Sequence, residues 1–318
     1  MQIHRSLESI PPFRRSVVTV GTFDGVHTGH QEVLEQLVAE ARRVDGESVL
    51  ITFHPHPRSV VSSTILGIRL LNTLSERIEL LVACGIDHLV IVPFTELFAN
   101  MTAKQYLADF LVQKFTPHTL VIGYDHRFGR DRDGNFQFLK DHEHIYGYTV
   151  TEIPAHLLEA NAISSTRIRE SILHHDIENA NRLLGYPFYF TGTVVHGNKI
   201  GRTLGYPTAN LHITEEDKIV PGNGIYAVFA KPEGYEKAYK GMMSIGFRPT
   251  VGGTQRVIEV NLFDFDNDIY DKHLTVHVMA YLRQEVKFDG LPALVEQMHQ
   301  DKRNTLQILP ETIKNERS

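Results

Sequence analysis

One cysteine, Cys84, stands in a chain of 318 residues. A lone thiol rules out an intrachain disulfide and any Cys-rich zinc site, and within the apolar stretch LLVACGI it is expected to be buried and inert. No apolar run approaches the ~20 residues of a membrane-spanning helix, and the opening MQIHRSLESIPPFRRS has no signal-peptide core. The expectation is a soluble, cytoplasmic protein. Positive charge is not in excess either: the net charge is -6, which argues against DNA or RNA as the main partner. A single nucleotide needs only a few local donors and stays open. Internal repeats and low-complexity segments are missing. A Walker A loop is missing too, because Gly192 and Gly197 have the right interval but Lys199 comes one residue late.

What is present is a globular composition, 42% hydrophobic and 22% charged, long enough for two domains with separate cores. SVVTVGTF (16–23), SVLITF (48–53), HLVIVPF (88–94) and HTLVIG (118–123) read as parallel strands buried on both faces. Helical patterns over 29–44, 75–85 and 102–115 lie between them, with Ser75 and Thr102 as expected N-caps and Gly85 past a helix end. This alternation predicts an α/β, Rossmann-like, doubly wound sheet with ligands at the carboxyl ends of its strands. The last helical signals are 164–173 and 177–185. Strand-like runs then follow at 188–196, 224–230, 238–246, 257–265 and 273–282, and a helix at 291–309. They predict an antiparallel Greek-key β-barrel closed by one helix. The expected domains are 1–184 and 185–318.

Two Gly-rich segments carry the chemistry. In GTFDGVHTGH (21–30), His27 and His30 share a face of a helix's first turn, where backbone N–H groups and the dipole already favour phosphate. Two imidazoles there can donate to oxygens whose charge grows as an α-phosphate is attacked, so no nucleophile is needed. ISSTRIR (163–169) offers hydroxyls and a planar guanidinium to phosphate, although a Ser-Ser-Thr cluster serves equally as an N-cap. In HGNKIGRTLGYPTAN (196–210), Lys199 and Arg202 can reach phosphates. Thr208 and Asn210, two apart in an extended segment, present hard oxygens suited to Mg²⁺. An ordinary Gly-rich turn is the plainer reading of that segment.

GTFDGVHTGH, with TFHPHPR (52–58), GYDHRFG (123–129) and ISSTRIR in order, resembles the FMN adenylyltransferase half of bacterial bifunctional riboflavin kinase/FAD synthetases, within the HxGH nucleotidyltransferase superfamily. GRTLGYPTAN, GIYAV, IGFRPT, EVNLFDF and YLRQEVKFDGL resemble the riboflavin kinase half of the same enzymes. The resemblance implies conversion of riboflavin to FMN and of FMN to FAD, each with ATP and Mg²⁺, with FMN and FAD as substrate and product. It implies catalytic roles for His27 and His30, ATP or phosphate contacts at Gly21, Phe23, Asp24 and Gly29, and pyrophosphate contacts at Ser165, Thr166 and Arg169. Flavin contacts fall on Asp125 and Phe128. In the second half it implies ATP contacts at Gly201, Arg202 and Gly205, magnesium at Thr208 and Asn210, and Glu259 as the base for the ribityl hydroxyl. Arg248 is expected to face flavin; by its residue type alone it either reaches phosphate or caps a loop. An outward-facing Glu259, or a single cleft shared by both reactions, would count decisively against this assignment.

His126, Asn261, Asp271 and Ser244 depart from the residues common in that family. The His54/His56 and His142/His144 pairs lack a third ligand, and Asp264, Asp266 and Asp268 read as a solvated turn. The partners implied are small molecules, riboflavin, FMN and ATP, with no nucleic acid or membrane, and a transient homo-oligomer stays open. A different nucleotidyltransferase with a binding-only barrel, or a non-catalytic flavin-binding regulator, are the competing readings.

Overall fold

A computed structural model describes residues 1–61, 69–123, 126–153, 164–197, 201, 204–250 and 253–313. The chain divides into two compact units, Met1–Ser165 and Thr166–Ser318. The helices Ser165–Leu173 and Ile177–Leu184 fall at and beyond that division. The second of them is tied to the barrel, because Asn181 Nδ2 donates to the Val278 carbonyl at 2.9 Å.

In the first unit, six parallel strands form one sheet: β1 (Gln2–His4), β2 (Val17–Val20), β3 (Ser48–His54), β4 (His88–Pro93), β5 (Thr119–Gly123) and β6 (Thr149–Ile153). Their order is β1-β4-β3-β2-β5-β6: after the edge strand β1 the chain enters near the middle at β2, builds one side through β3 and β4, then returns to build the other with β5 and β6. The switch falls between β2 and β5, where such sheets open a crevice at the strand ends. Val18, Val20, Ile51 and Val90 pack into one core cluster, while Val17, Leu50 and Leu89 pack with Leu34 and Leu37 of the helix α1 (Thr28–Arg43) in another. Burial on both faces is why these strands read as continuous apolar runs. β1 and β6 escaped the pattern because each is a short edge strand with exposed positions.

The helix expected to start at Ser75 is capped instead by Thr73, whose side chain accepts from Glu76 N–H while Glu76 returns the bond. The reciprocal pair needs Glu three residues after the cap, which Thr73 has and Ser75 lacks. Thr102 caps as expected. Cys84 is half-buried rather than buried, its thiol 3.5 Å from the Leu80 carbonyl.

The second unit is a closed barrel of β7 (Tyr189–Val195), β8 (Ala209–His212), β9 (Gly224–Pro232), β10 (Tyr239–Thr250), β11 (Gly253–Leu262) and β12 (His273–Arg283), ordered β10-β11-β8-β7-β12-β9. Val228, Met243, Val260, Val276 and Val278 are each 0% exposed and fill its interior. The C-terminal helix Leu291–Ile308 lies on the outer wall: Met298 packs on Met242, and Leu309 on Ala227 and Phe229.

A buried ion pair fastens that helix. Arg283 Nε and Nη2 reach the two oxygens of Asp301 at 2.9 and 2.7 Å, and Gln297 donates to the same carboxylate. Asp301 is 2% exposed. Asp301→Ala would leave the guanidinium without its partner, and we expect a loss of about 3 kcal/mol in urea unfolding.

Candidate active sites

The first site grows from the turn between β2 and α1. Phe23 and Val26 take positive φ values of 48° and 36°, a cost tolerated only where the surroundings impose it. Asp24, 2% exposed, imposes much of it: its carboxylate accepts the Leu71 N–H at 3.0 Å and the Asn72 N–H at 3.2 Å. Its carbonyl accepts the Ser165 hydroxyl at 2.9 Å. These bonds make Asp24 a brace for the loop, a role better suited to a carboxylate than touching phosphate. Gly21 donates to the Ile51 carbonyl at 3.0 Å, and a Cβ there would lie 2.8 Å from the Phe23 ring, so the glycine lets that ring fold back.

His27 is the N-cap of α1, its Nδ1 accepting the His30 N–H at 3.3 Å. With Nδ1 accepting, the neutral ring carries its proton on Nε2. The two imidazoles stack at 3.6 Å and 15°, and Phe23 lies 4.9 Å from His30. Gly29 sits between them in the first turn, with an added Cβ meeting the His27 ring only at ordinary contact distance. Burial, then the His27 ring and the Arg77 charge, hold His30 well below its usual pKa of 6.5. His30 therefore remains neutral at physiological pH, and its buried Nδ1 has no hydrogen-bond partner.

The unfolded chain takes up this proton near pH 6.5 while the folded one does not, so acidification favours the unfolded state. Stability is expected to fall as pH drops below 6.5 toward the lower folded value, and His30→Gln should flatten that dependence in urea midpoints.

Arg77 was missed by the motif reading. It is 6% exposed and bonds the Thr22 carbonyl, with the Phe53 carbonyl at 3.4 Å, at the carboxyl ends of β2 and β3. Its signal was an arginine on the Leu74–Ile78–Leu81 face of an amphipathic helix, where a charge is out of place unless it is used.

Thr166 is exposed on the first turn of Ser165–Leu173, and Arg169 is half-buried on the next. Asp125 lies outside the described residues. Phe128, expected to contact flavin, is 6% exposed, stacked on Tyr106 at 4.9 Å and covered by Gly134, where a Cβ would strike its ring.

The second site lies on the barrel wall. Asn210 on β8 is the register partner of Glu259 on β11, so their side chains leave the sheet on one face. Thr208, two residues before Asn210, shares that face by alternation. The face is the outer one: Glu259 alternates with Ile258 and Val260, whose partners Ile245 and Met243 are 0% exposed, and pairs with Ser244, which shares a face with Met242 under the helix. Glu259 thus has the outward placement that was expected to count against its role as base, and what supports the role there is the face it shares with Asn210. A six-stranded barrel filled by its own side chains has no room for a ligand inside, and any site must be on the wall.

Two glycines shape this wall. A Cβ on Gly197 would collide with the Asn210 amide, and one on Gly201 would collide with the Tyr206 carbonyl and lie 3.3 Å from the Thr208 hydroxyl. Gly201 also accepts the Tyr206 N–H at 2.8 Å, and Gly205 turns the chain at φ 81°. Arg202 and Lys199 lie outside the described residues. Asn261 Nδ2 donates to the Pro207 carbonyl at 2.6 Å, pinning the segment to β11. Thr208 also borders a cleft with Asp266, Asn267, Asp268 and Tyr270.

Arg248 donates to Glu285 at 2.6 Å and to Glu259 at 3.2 Å. Burial works against its charge, but the bonds to both carboxylates outweigh that and raise its pKa. It is thus engaged with protein carboxylates, which was expected neither of a flavin contact nor of a loop cap. Among the described residues no cluster of three His, Cys, Asp or Glu side chains could hold a metal. The hydroxyl and amide oxygens of Thr208 and Asn210, in a cradle that a Cβ on Gly197 or Gly201 would fill, fit a hard cation carried with a triphosphate.

The FAD synthetase family model matches residues 10–167 and the riboflavin kinase family model residues 184–309. The bifunctional riboflavin kinase/FMN adenylyltransferase of Escherichia coli (strain K12) is 35% identical over 303 residues, covering 95% of this chain and 96% of its own. That of Bacillus subtilis (strain 168) is 35% identical over 297 residues, covering 92% of each. A crystal structure from Streptococcus pneumoniae, described as a macrolide-efflux protein, is 33% identical with a TM-score of 0.86, covering 96% of this chain and 98% of that one. No described helix here is long and apolar enough to cross a membrane.

Proposed function

The chain belongs to the bifunctional riboflavin kinase/FMN adenylyltransferase family, and we propose from its two sites how it phosphorylates riboflavin and then adenylylates FMN. Residues 185–318 carry the kinase and 1–184 the adenylyltransferase. The observation that carries the reading is the pairing of Glu259 with Asn210 across the β8–β11 register, two residues beyond Thr208.

In the kinase, Glu259 takes the proton of the ribityl 5′-hydroxyl as its oxygen attacks the γ-phosphorus of ATP, and ADP leaves. Thr208 and Asn210 would hold Mg²⁺ with the triphosphate, and the cation supplies charge neutralisation along it. Gly201, Arg202 and Gly205 are assigned to the same nucleotide. In the adenylyltransferase, a phosphate oxygen of FMN attacks the α-phosphorus of a second ATP; the bond to the β-phosphate breaks and pyrophosphate leaves. His27 Nε2–H and neutral His30 donate to the α-phosphate oxygens, with the N-terminus of α1 behind them. Gly21, Phe23 and Gly29 shape that turn. Ser165, Thr166 and Arg169 are assigned to the departing pyrophosphate, and Asp125 to flavin.

The partners in this reading are riboflavin, FMN and ATP, with neither nucleic acid nor membrane involved, in the cytoplasm. Incubation with riboflavin, ATP and Mg²⁺, resolved chromatographically over time, should show FMN rising before FAD. Failure to form FMN, or FMN that never becomes FAD, contradicts it.

A further inference from the structure

Glu285 follows the end of β12, within the YLRQEVKFDGL segment but with no role assigned above, and it takes the shorter of the two Arg248 bonds, 2.6 Å against 3.2 Å for Glu259. All three side chains are partly shielded, at 31%, 43% and 28% exposure. The barrel makes room for this carboxylate by a missing side chain. A Cβ on Gly246, two residues before Arg248 on β10, would fall directly on the Glu285 carboxylate. Gly246 has no positive φ that would demand glycine, so the backbone there accepts other residues. The reason for glycine at this position is the space that Glu285 occupies.

Arg248 has long rotatable bonds and sits on a strand whose outer face is only partly covered. Left alone with Glu259, a guanidinium would close onto that carboxylate with both nitrogens and occupy the oxygens needed to receive a proton. With Glu285 drawing Nη1 away, only Nη2 reaches Glu259, and it reaches one oxygen, Oε2. The other oxygen of Glu259 is left out of the Arg248 bond.

We propose that Glu285 is a positioning residue for riboflavin phosphorylation: acting through Arg248, it fixes the carboxylate of Glu259 in a single-point hold that leaves an oxygen for the substrate hydroxyl. This rests on the reading of Glu259 as the base. The role predicts an effect on turnover rather than on binding, because Glu285 acts on Glu259 through Arg248.

Two variants disturb the contact by independent routes. Glu285→Ala removes the carboxylate. Gly246→Ala keeps it but displaces it, and a flexible carboxylate can move aside without unfolding the strand. Steady-state kinetics of riboflavin phosphorylation should show kcat reduced on the order of tenfold in each, with KM for ATP and riboflavin within about twofold of wild type. The double variant should be no slower than Glu285→Ala, since both changes break one contact. Adenylyl transfer to supplied FMN should be unchanged in all three, and the retained KM values report an intact barrel.

A kcat for Glu285→Ala within twofold of wild type would overturn the proposal. So would a raised KM at unchanged kcat, which would make Glu285 a binding residue, or fully additive losses in the double variant. Glu259→Ala separates the two levels: if it retains kinase activity, the base assignment falls and this proposal with it. If it is inactive while Glu285→Ala is normal, only the positioning role falls.

Discussion

Glu259→Ala is expected to lower riboflavin phosphorylation by about 10²–10⁴-fold, the range of a lost general base, while added FMN is still converted to FAD. The expectation follows from the wall geometry. Glu259 faces Asn210 across the β8–β11 register, within the same strip that carries Thr208 and is bounded by Gly197 and Gly201. Because the side chain is on the outer face, truncation opens no cavity in the barrel interior, where Val260 and Met243 remain packed. The fold should therefore survive, and an unchanged urea midpoint together with retained adenylyl transfer would tie the loss to chemistry. An active Glu259→Ala kinase would remove the carboxylate from the mechanism.

His30→Ala is expected to do the reverse, lowering adenylyl transfer by about 10²–10³-fold, the effect of removing a preorganised donor to a developing oxyanion, with riboflavin phosphorylation intact. Its ring is locked between His27 and Phe23 and is neutral through burial, His27 and Arg77, so it is held ready as a donor before ATP arrives. The expected loss is in kcat more than in KM, because a donor to charge that develops during the reaction binds the ground state weakly. Equal losses in both activities would instead indicate a damaged fold.

Much of this was legible in the amino-acid sequence. The buried strands β2 to β5 announced themselves as apolar runs because both their faces are covered, and the HxGH turn declared its place at the start of α1. The edge strands β1 and β6 were illegible for the opposite reason, each having exposed positions that break the run. Roles that depend on what a side chain meets were the hardest to read. Asp24 looked like a phosphate contact but braces the loop through Leu71 and Asn72, and Phe128 looked like a flavin platform but is packed on Tyr106. Arg77 and Glu285 bond partners 55 and 37 residues away in sequence, Thr22 and Arg248, which no local pattern encodes. The outer placement of Glu259 could be seen only once the barrel was known to be filled.

The central claim is that two chemically independent centres work in sequence within one chain, joined only by the FMN that one makes and the other consumes. Mixing equal amounts of Glu259→Ala and His30→Ala with riboflavin, ATP and Mg²⁺ tests it most directly. The first variant alone should leave riboflavin untouched, the second should stop at FMN, and the mixture should accumulate FAD. A mixture that makes no FAD, although each variant performs its retained half-reaction, would contradict it.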